Sequence, residues 1–227
     1  MTAFGTPGFR IRTKWARPSS AQLSGFESTA SSQVADSMGR LGAMDSGIRP
    51  IWASPRVIGS ALTVWCHSGD NLMVHKAIGM AQRGDILIVN TQNNVTNSPF
   101  GELLATSALA MGIAAVIVDG TVRDGSSLER LRLPVYARAL CPNGCNRDGA
   151  GEVGTTIACG GVAVQPGDVI VADGDGITVV PLDDAADVAR RAVNKLKQEE
   201  KRLEEIRCGV VTRPEIDEHL RRMKVIE

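Results

Sequence analysis

Aromatic side chains are scarce in this sequence, and it carries no surplus of either charge. Phe, Trp and Tyr make up 4% of the 227 residues, so the core has to come from Val, Ile, Leu, Ala and Met. Lys plus Arg and Asp plus Glu each total 25, which gives a formal net charge of zero. Broad binding to a phosphate backbone needs a positive surplus on one face, so the composition argues against a nucleic-acid partner.

Long hydrophobic runs are missing as well. A run of about 18 uncharged apolar residues occurs nowhere, which argues against a membrane-spanning helix. The first twenty residues contain no continuous apolar stretch of the kind found in signal peptides. Five cysteines, an odd number, without such a signal indicate free thiols in a reducing compartment. We therefore expect a cytoplasmic protein with no membrane partner.

The hydrophobic pattern alternates between helix and strand periods, which is typical of an α/β protein. No internal repeat or low-complexity linker interrupts it, so we expect one domain over 1–227. Residues 1–18 are predicted to form an N-terminal arm and residues 183–227 a C-terminal helical extension. The predicted helices cover 20–38, 71–82, 102–111, 127–131, 184–207 and 214–223, and the predicted strands cover 57–66, 86–90, 114–118, 135–138, 155–158, 161–164, 169–171 and 177–180.

The helix predicted over 184–207, with Asp183 as its cap, changes character along its length. An apolar stripe runs along it, yet residues 195–202 are nearly all charged. A helix with so little apolar surface in its second half is expected to project from its own domain and to rest on another subunit. A solvated surface helix is the alternative interpretation.

Two short segments combine chemistry that fits a small oxo acid. Gly101-Glu102-Leu103-Leu104 opens a predicted helix, where unpaired backbone N–H groups can hold a carboxylate. Arg123 and Asp124 follow a buried strand, and functional side chains of βαβ units usually lie beyond the carboxyl ends of the strands. Together the segments supply two carboxylates for a hard cation, a guanidinium and an anion-binding helix end. The alternative is a glutamate that merely complements the helix dipole and a surface ion pair.

The spacing of these residues resembles a known motif. Glu102, twenty intervening residues and then Arg123-Asp124 are similar to the Asp/Glu-X20-Arg-Asp motif of the class II 4-hydroxy-4-methyl-2-oxoglutarate / 4-carboxy-4-hydroxy-2-oxoadipate aldolases. Those enzymes belong to the RraA-like family, whose ribonuclease-E regulators lack the full pattern. The resemblance runs from roughly residue 25 to 205 and includes the phrases FGELLATSA, AVIVDGTVRD, LPVYARA and ACGGVAVQPGDVIVADGDGITVVP.

The resemblance implies a role for each motif residue. Asp124 would be the direct protein ligand of a divalent metal, Mg²⁺ or Mn²⁺, with water at most other positions. Glu102 would act on those waters. Arg123 would contact the 2-oxo oxygen of the substrate, and the backbone amides of Gly101 to Leu104 would bind its carboxylate.

The resemblance also implies a fold and an assembly. The fold would be of the swivelling β/β/α type, a mixed β core flanked by helices with a projecting C-terminal helix. The chain would form homotrimers or hexamers with active sites at subunit interfaces. A glutamate of the C-terminal helix would reach the neighbouring subunit's metal through water; Glu199 is the first choice for it, and Glu200 the second.

The expected reaction is retro-aldol cleavage of a 4-hydroxy-2-oxo acid to pyruvate and a second 2-oxo acid, with oxaloacetate decarboxylation as a side activity. Primary oxaloacetate decarboxylation and non-enzymatic regulation of a ribonuclease are the alternatives. Schiff-base chemistry on Lys76, a role for His67 in the site, a zinc site at Cys141, Cys145 and Cys159, and dinucleotide binding by the G-x-G-x-x-G pattern at 149–154 are all weaker hypotheses. The glycine pattern does not come after an apolar strand, and it leads into a predicted strand where dinucleotide binding requires a helix.

Overall fold

The computed structural model describes residues 3–227, so the first two residues of the predicted arm lie outside the described residues. A 3₁₀ turn, Leu182–Asp184, precedes the long C-terminal helix. In chain order the strands and helices are β1 (Ala3–Thr6), β2 (Phe9–Arg12), α1 (Ser20–Ser24), α2 (Ser31–Ser37), β3 (Arg49–Pro50), β4 (Val57–Cys66), α3 (Leu72–Ile78), β5 (Asp85–Asn90), α4 (Glu102–Met111), β6 (Ala115–Val122), α5 (Gly125–Arg130), β7 (Val135–Leu140), β8 (Gly151–Val153), β9 (Ile157–Cys159), β10 (Val162–Val164), β11 (Val169–Ala172), β12 (Ile177–Val180), α6 (Ala185–Arg207) and α7 (Pro214–Arg222).

Four parallel strands, β4 to β7, form the centre of the main sheet. The order across the sheet is β1-β2-β8-β4-β5-β6-β7-β3, while β11 pairs with the first half of β4 and β12 pairs with β11. β5 and β6 are almost entirely buried. Strands buried on both faces are continuous apolar runs without alternation, and both sequences have that form. Parallel neighbours need crossover connections, which α3, α4 and α5 supply.

The two faces of the parallel strands are covered differently. Val74 of α3, Ala105 of α4 and Leu128 of α5 belong to the core on one face. Ile157 of β9 and Ile170 of β11 belong to the core on the other face. Helices therefore cover one face and further strands the other, which gives a β/β/α layering. The loops that carry the candidate site lie at the carboxyl ends of the parallel strands.

A third core joins α6 to α2 and to the β11–β12 pair. Phe26, Val34, Val180 and Val188 are buried there. The buried residues of α6 all lie between 185 and 192, whereas Leu203 in its second half is 51% exposed. The change of character that the sequence predicts along this helix is thus a change in burial.

The single helix predicted over 20–38 is wrong, because the chain breaks it into α1 and α2. Gly25 caps α1, and Ala30 has an extended backbone just before α2. The Asp173 carboxylate accepts hydrogen bonds from the backbone N–H of Ser31 (2.8 Å) and from its hydroxyl (2.7 Å). These tertiary contacts fix the start of α2 and override the local helical pattern.

Three smaller predictions also need correction. The N-terminal arm is a β1–β2 hairpin whose second strand pairs in parallel with β8. β8 itself lies in the 149–154 segment, which is outside all the predicted strands. The N-cap of α6 is Asp184 instead of Asp183, because the 3₁₀ turn delays the start of the helix. Among residues 3–227, no helix is both long and apolar enough to cross a bilayer.

Candidate active site

The two segments predicted to carry the chemistry lie at the carboxyl ends of neighbouring parallel strands. β5 runs into a loop, residues 91–100, that leads to the first turn of α4. β6 ends at Val122 and is followed at once by Arg123 and Asp124. Asp124 has a left-handed backbone (φ 60°) and is the N-cap of α5. Ligands of open α/β sheets bind in this region, beyond the strand ends.

Backbone and side-chain hydrogen bonds hold the two segments together. The Glu102 N–H donates to Oδ2 of Asp124 at 3.0 Å. The Arg123 N–H donates to the Phe100 carbonyl at 3.0 Å. Nε of Arg123 lies 3.6 Å from Oδ2 of Asp124, so the guanidinium and the carboxylate are neighbours at the start of α4. The structure thus brings together Arg123, Asp124 and the first turn of α4.

Gly101 makes this close approach possible. A Cβ at this position would lie 2.5 Å from Oδ2 of Asp124 and 2.8 Å from Cγ of Arg123. The Gly101 backbone is extended (φ −161°), a conformation that any residue can adopt. Its requirement for glycine is therefore steric and comes from the site.

The Glu102 carboxylate is paired with Arg130, not with Arg123. Its Oε1 accepts a hydrogen bond from Nη2 of Arg130 at 3.0 Å, and both side chains are largely exposed. Ion pairs between exposed side chains contribute little to stability, about 0–1 kcal/mol. Glu102 can therefore exchange Arg130 for another partner at little cost.

A cavity of about 130 Å³ opens beside the first turn of α4. Its volume is small compared with the roughly 300–1,000 Å³ typical of ligand pockets, so it can enclose only part of a larger ligand. Lys76 and His67 are exposed and do not contribute to its lining. The lining residues are Asn71, His75, Ser98, Pro99, Phe100, Gly101, Leu103, Leu104, Arg123, Gly144, Cys145 and Arg147.

Three polar residues of this cavity are not identified by the sequence. Arg147 adds a second guanidinium to that of Arg123, and His75 and Asn71 come from the segment that starts α3. Partial burial, and next the charge of Arg147, lower the pKa of His75. No motif spacing links these residues to Glu102 or Arg123, so only the folded arrangement of the loops could identify them.

Asn71 lines the cavity and is buried, as is Asp70 before it in the chain. Oδ2 of Asp70 accepts from the backbone N–H groups of Asp148 (3.0 Å) and Gly149 (2.8 Å), which anchors the loop that carries Arg147. Nδ2 of Asn71 donates to the Pro99 carbonyl at 3.1 Å. Oδ1 of Asn71 is buried and has no hydrogen-bond partner. A buried acceptor without a partner costs stability.

The donor set fits a hydrated hard cation better than a metal caged by protein. Among residues 3–227, no cluster of three or more His, Cys, Asp or Glu side chains could hold a metal ion. Asp124 uses Oδ2 for the Glu102 N–H, and none of the hydrogen bonds of the described chain uses Oδ1. The Asp124 side chain is 40% exposed, so water can reach it. One carboxylate surrounded by water suits Mg²⁺, which usually keeps several of its waters.

Glu199 lies elsewhere on the chain. Its Oε2 accepts a hydrogen bond from Nε2 of Gln33 at 2.7 Å, and its Oε1 is 3.9 Å from Nζ of Lys195. It lines a separate cleft beside the C-terminal segment, whereas Glu200 is exposed. Within residues 3–227, no hydrogen bond or ion pair joins Glu199 to Asp124.

Comparison with solved structures defines the class of fold. The chain matches a crystal structure from Streptomyces coelicolor, described as an unusual member of the RNase ES inhibitor RraA protein family, with a TM-score of 0.75 and 24% identity over 83% of this chain and 100% of that one. It matches an RNA-processing inhibitor RraA of Thermus thermophilis with a TM-score of 0.62 and 28% identity over 66% and 92% of the two chains. The predicted α/β fold class is therefore confirmed.

Sequence comparison then gives the family. The model of the RraA-like family (Aldolase/RraA) matches residues 31–179. A Halalkalibacterium halodurans protein, provisionally named 4-hydroxy-4-methyl-2-oxoglutarate aldolase, is 33% identical over 177 residues, which cover 78% of this chain and 84% of that protein. The chain belongs to the RraA-like family, as the motif spacing predicts.

Proposed function

We propose that this chain is a class II aldolase that uses a divalent metal, Mg²⁺ or Mn²⁺, to cleave a 4-hydroxy-2-oxo acid into pyruvate and a second 2-oxo acid. The observation that carries the proposal is the Asp124 carboxylate held against the first turn of α4, with Arg123 beside it. The aldolase name of the Halalkalibacterium halodurans relative supports it. The family resemblance favours 4-hydroxy-4-methyl-2-oxoglutarate and 4-carboxy-4-hydroxy-2-oxoadipate as substrates.

The first turn of α4 is assigned to the carboxylate of the pyruvyl portion. Gly101, Leu103 and Leu104 line the cavity, and the N–H groups of a helix's first turn have no partner within the helix. The Glu102 N–H donates to Asp124, so the N–H groups of the other three residues are assigned to the carboxylate. The positive end of the helix dipole favours an anion at the same place. A carboxylate bound there has its 2-oxo group within the region that Arg123 borders.

Cleavage breaks the C3–C4 bond after a proton leaves the C4 hydroxyl. C4 becomes the carbonyl carbon of the second oxo acid, and the bonding electron pair moves through C3 to the C2 oxygen as an enolate. Arg123 is assigned to that oxygen, because fixed positive charge where negative charge develops lowers the barrier. Glu102, acting through water, is assigned to the hydroxyl proton. A proton added at C3 then completes pyruvate.

A divalent ion held by Asp124, with Glu102 and a neighbouring copy's Glu199 ordering its waters, would supply Lewis-acid stabilisation of the C2 oxygen. Loss of CO₂ from oxaloacetate leaves the same enolate. Residues arranged to stabilise that enolate would therefore also decarboxylate oxaloacetate, which we assign as a side activity.

The second guanidinium of the cavity favours an acid with a further carboxylate. Arg147 borders the cavity together with Arg123, and a guanidinium binds a carboxylate through two parallel N–H donors. A dicarboxylic or tricarboxylic oxo acid has such a further carboxylate.

A pyruvate-release assay across a panel of 4-hydroxy-2-oxo acids, each with and without added Mg²⁺ or Mn²⁺, tests the proposal. We expect a chelator to abolish turnover and the metal to restore it. Asp124→Ala should be inactive with its assembly intact, whereas Asp175→Ala, at an exposed turn, should keep full activity. Turnover by the chelated protein or by Asp124→Ala would contradict the proposal.

Three further measurements separate the alternatives. A higher kcat/KM for oxaloacetate than for every hydroxy acid would favour a primary decarboxylase. Borohydride trapping of a substrate adduct would point to a lysine. A chain that turned over no oxo acid but bound a ribonuclease in a pull-down would favour a regulator, as the Thermus thermophilis match is described.

A further inference from the structure

Buried threonine hydroxyls connect β6 to the loop 91–100 ahead of α4. Oγ1 of Thr91 donates to the Asp119 carbonyl at 2.8 Å. Oγ1 of Thr121 donates to the Asn97 carbonyl at 3.1 Å. Oγ of Ser98 donates to the Cys141 carbonyl at 2.6 Å and lies 3.2 Å from Oγ1 of Thr121. Thr91 is 2% exposed and Thr121 is 1% exposed, so water cannot replace either hydroxyl. None of these contacts belongs to the groups that we assign to substrate or metal.

The strand is irregular at the point of contact. Along β6 and β7, Val118 pairs with Ala137 and Thr121 pairs with Ala139, so β6 has one more residue than its partner between these pairs. That is the pattern of a β-bulge, which re-aims the residues that follow it. A Cβ on Gly120, in the bulge, would lie 2.2 Å from Oγ1 of Thr91, so the loop packs directly on the bulge.

Asp119 anchors the bulge from the other face of the sheet. Its Oδ1 accepts from Nε of Arg138 at 2.6 Å, and its Oδ2 accepts from the Gly160 N–H at 2.7 Å. The Asp119 residue is 6% exposed, so both bonds are shielded from water. The bulge is therefore held on one side by Arg138 and Gly160 and on the other by Thr91.

We propose that these contacts form a seam, comprising Thr91, Ser98, Asp119, Gly120 and Thr121, that sets the position of the α4 first turn relative to Arg123 and Asp124. Two residues past Thr121, the chain reaches Arg123; four residues past Asn97, it reaches Gly101. Both of these chain segments are short, and the residues that follow them are joined by the hydrogen bond from the Glu102 N–H to Asp124. A shift at the seam is therefore transmitted to both halves of the site.

Thr121 is the positioning residue that reports this coupling most directly. Thr121→Val keeps the shape of the side chain but removes the hydroxyl, and Thr121→Ser restores it. Thr178→Val is a matched control, because Thr178 is 2% exposed and its hydroxyl donates to the Ser31 carbonyl at 3.0 Å, in a part of the chain that packs on α2. A general loss of stability should affect the two valine variants alike.

Hydrogen–deuterium exchange of the metal-free proteins gives the first measurement. We expect peptides within 91–104 to exchange roughly tenfold faster in Thr121→Val than in wild type. The variant lacks the hydrogen bonds of the Thr121 hydroxyl, so local opening of this segment costs less free energy. Thr121→Ser and Thr178→Val should match wild type in these peptides. Equal exchange in Thr121→Val and Thr178→Val would overturn the proposal.

Calorimetric titration with MnCl₂ and then pyruvate gives the second measurement, and this part rests on the proposed function. Substitution of a residue that orients the metal ligands without binding the metal itself typically weakens metal affinity by roughly 10- to 100-fold. We expect a weakening of this size in Thr121→Val alone. Affinities unchanged in Thr121→Val would contradict the positioning role. Should wild type bind neither probe while the exchange difference persists, the proposed function fails and the seam stands.

Discussion

At the scale of single residues, Gly101 shows how an absent side chain can define a site. The space that a Cβ would occupy holds Oδ2 of Asp124 and the stem of Arg123. Because the Gly101 backbone is extended, backbone freedom is not the reason for glycine here. The two charged residues can reach the helix start only because nothing projects from this position.

We expect Gly101→Ala to lower kcat/KM for the aldol substrate by roughly 100-fold, since displacements near 1 Å can have effects of that size. The added methyl group has to move Asp124, Arg123 or the helix start. Gly174→Ala is the control, because a Cβ there meets nothing within 4 Å. Thermal unfolding would be compared in parallel, and unchanged kinetics in Gly101→Ala would refute the steric argument.

Cys145 is a second residue of the cavity whose environment has a measurable consequence. Burial, and next the charge of Asp70, raise the pKa of its thiol to about 11. The thiolate is the reactive form of cysteine, so a raised pKa lowers reactivity at neutral pH. Its position beside Arg123 therefore does not make it a nucleophile.

Alkylation of Cys145 by iodoacetamide at pH 8 should be roughly 200-fold slower than that of free cysteine, whose pKa is about 8.5. The rate should rise about tenfold per pH unit until the pH approaches the pKa of about 11. Peptide mapping that resolves Cys145 from Cys141 would measure it. Rapid labelling at pH 8 would show that the thiol is not shielded as described.

At the scale of elements, α6 combines a buried first half with an exposed second half that carries Glu199. Gln33 and Lys195 hold the Glu199 carboxylate within its own chain. The cleft beside it is also lined by Leu203 and Val210, which are 51% and 47% exposed. A helix of this form is suited to complete a site on a neighbouring copy.

Subunit mixing tests that role. Asp124→Ala and Glu199→Gln should each be inactive alone, but co-expressed in equal amounts they should regain about one quarter of wild-type activity, since random assortment pairs an intact Asp124 with an intact neighbouring Glu199 at that frequency. Pyruvate release by the purified mixed assembly would measure it. Failure to recover any activity would place the glutamate's action within its own chain or remove it from the site.

At the scale of the whole molecule, the sequence predicts the buried frame well and the long-range contacts poorly. The strands at 57–66 and 177–180 and the helix at 102–111 have the predicted bounds, because apolar runs there end at glycine, proline or polar residues. The helix predicted over 20–38 fails because Asp173, far along the chain, fixes Ser31.

The candidate site divides in the same way. The first turn of α4 and Arg123-Asp124 are identifiable because their spacing and their place after strands are properties of the sequence. Asn71, His75 and Arg147 are not: Asn71 and His75 belong to the start of α3, and Arg147 lies on a loop that Asp70 anchors through hydrogen bonds to residues 78 and 79 positions away in sequence.

The pairing of β4 on both of its sides limits how far this strand can move. One side of this strand is bonded along residues 60–65 to β5, and its opposite side is bonded first to β11 and later to β8. A strand enclosed on both flanks cannot peel away without dismantling the sheet, whereas surface loops can open individually. Loops can thus admit and release small acids while the strands beneath them keep their spacing. The strands thus keep the site residues aligned, and the loops control how small acids reach them.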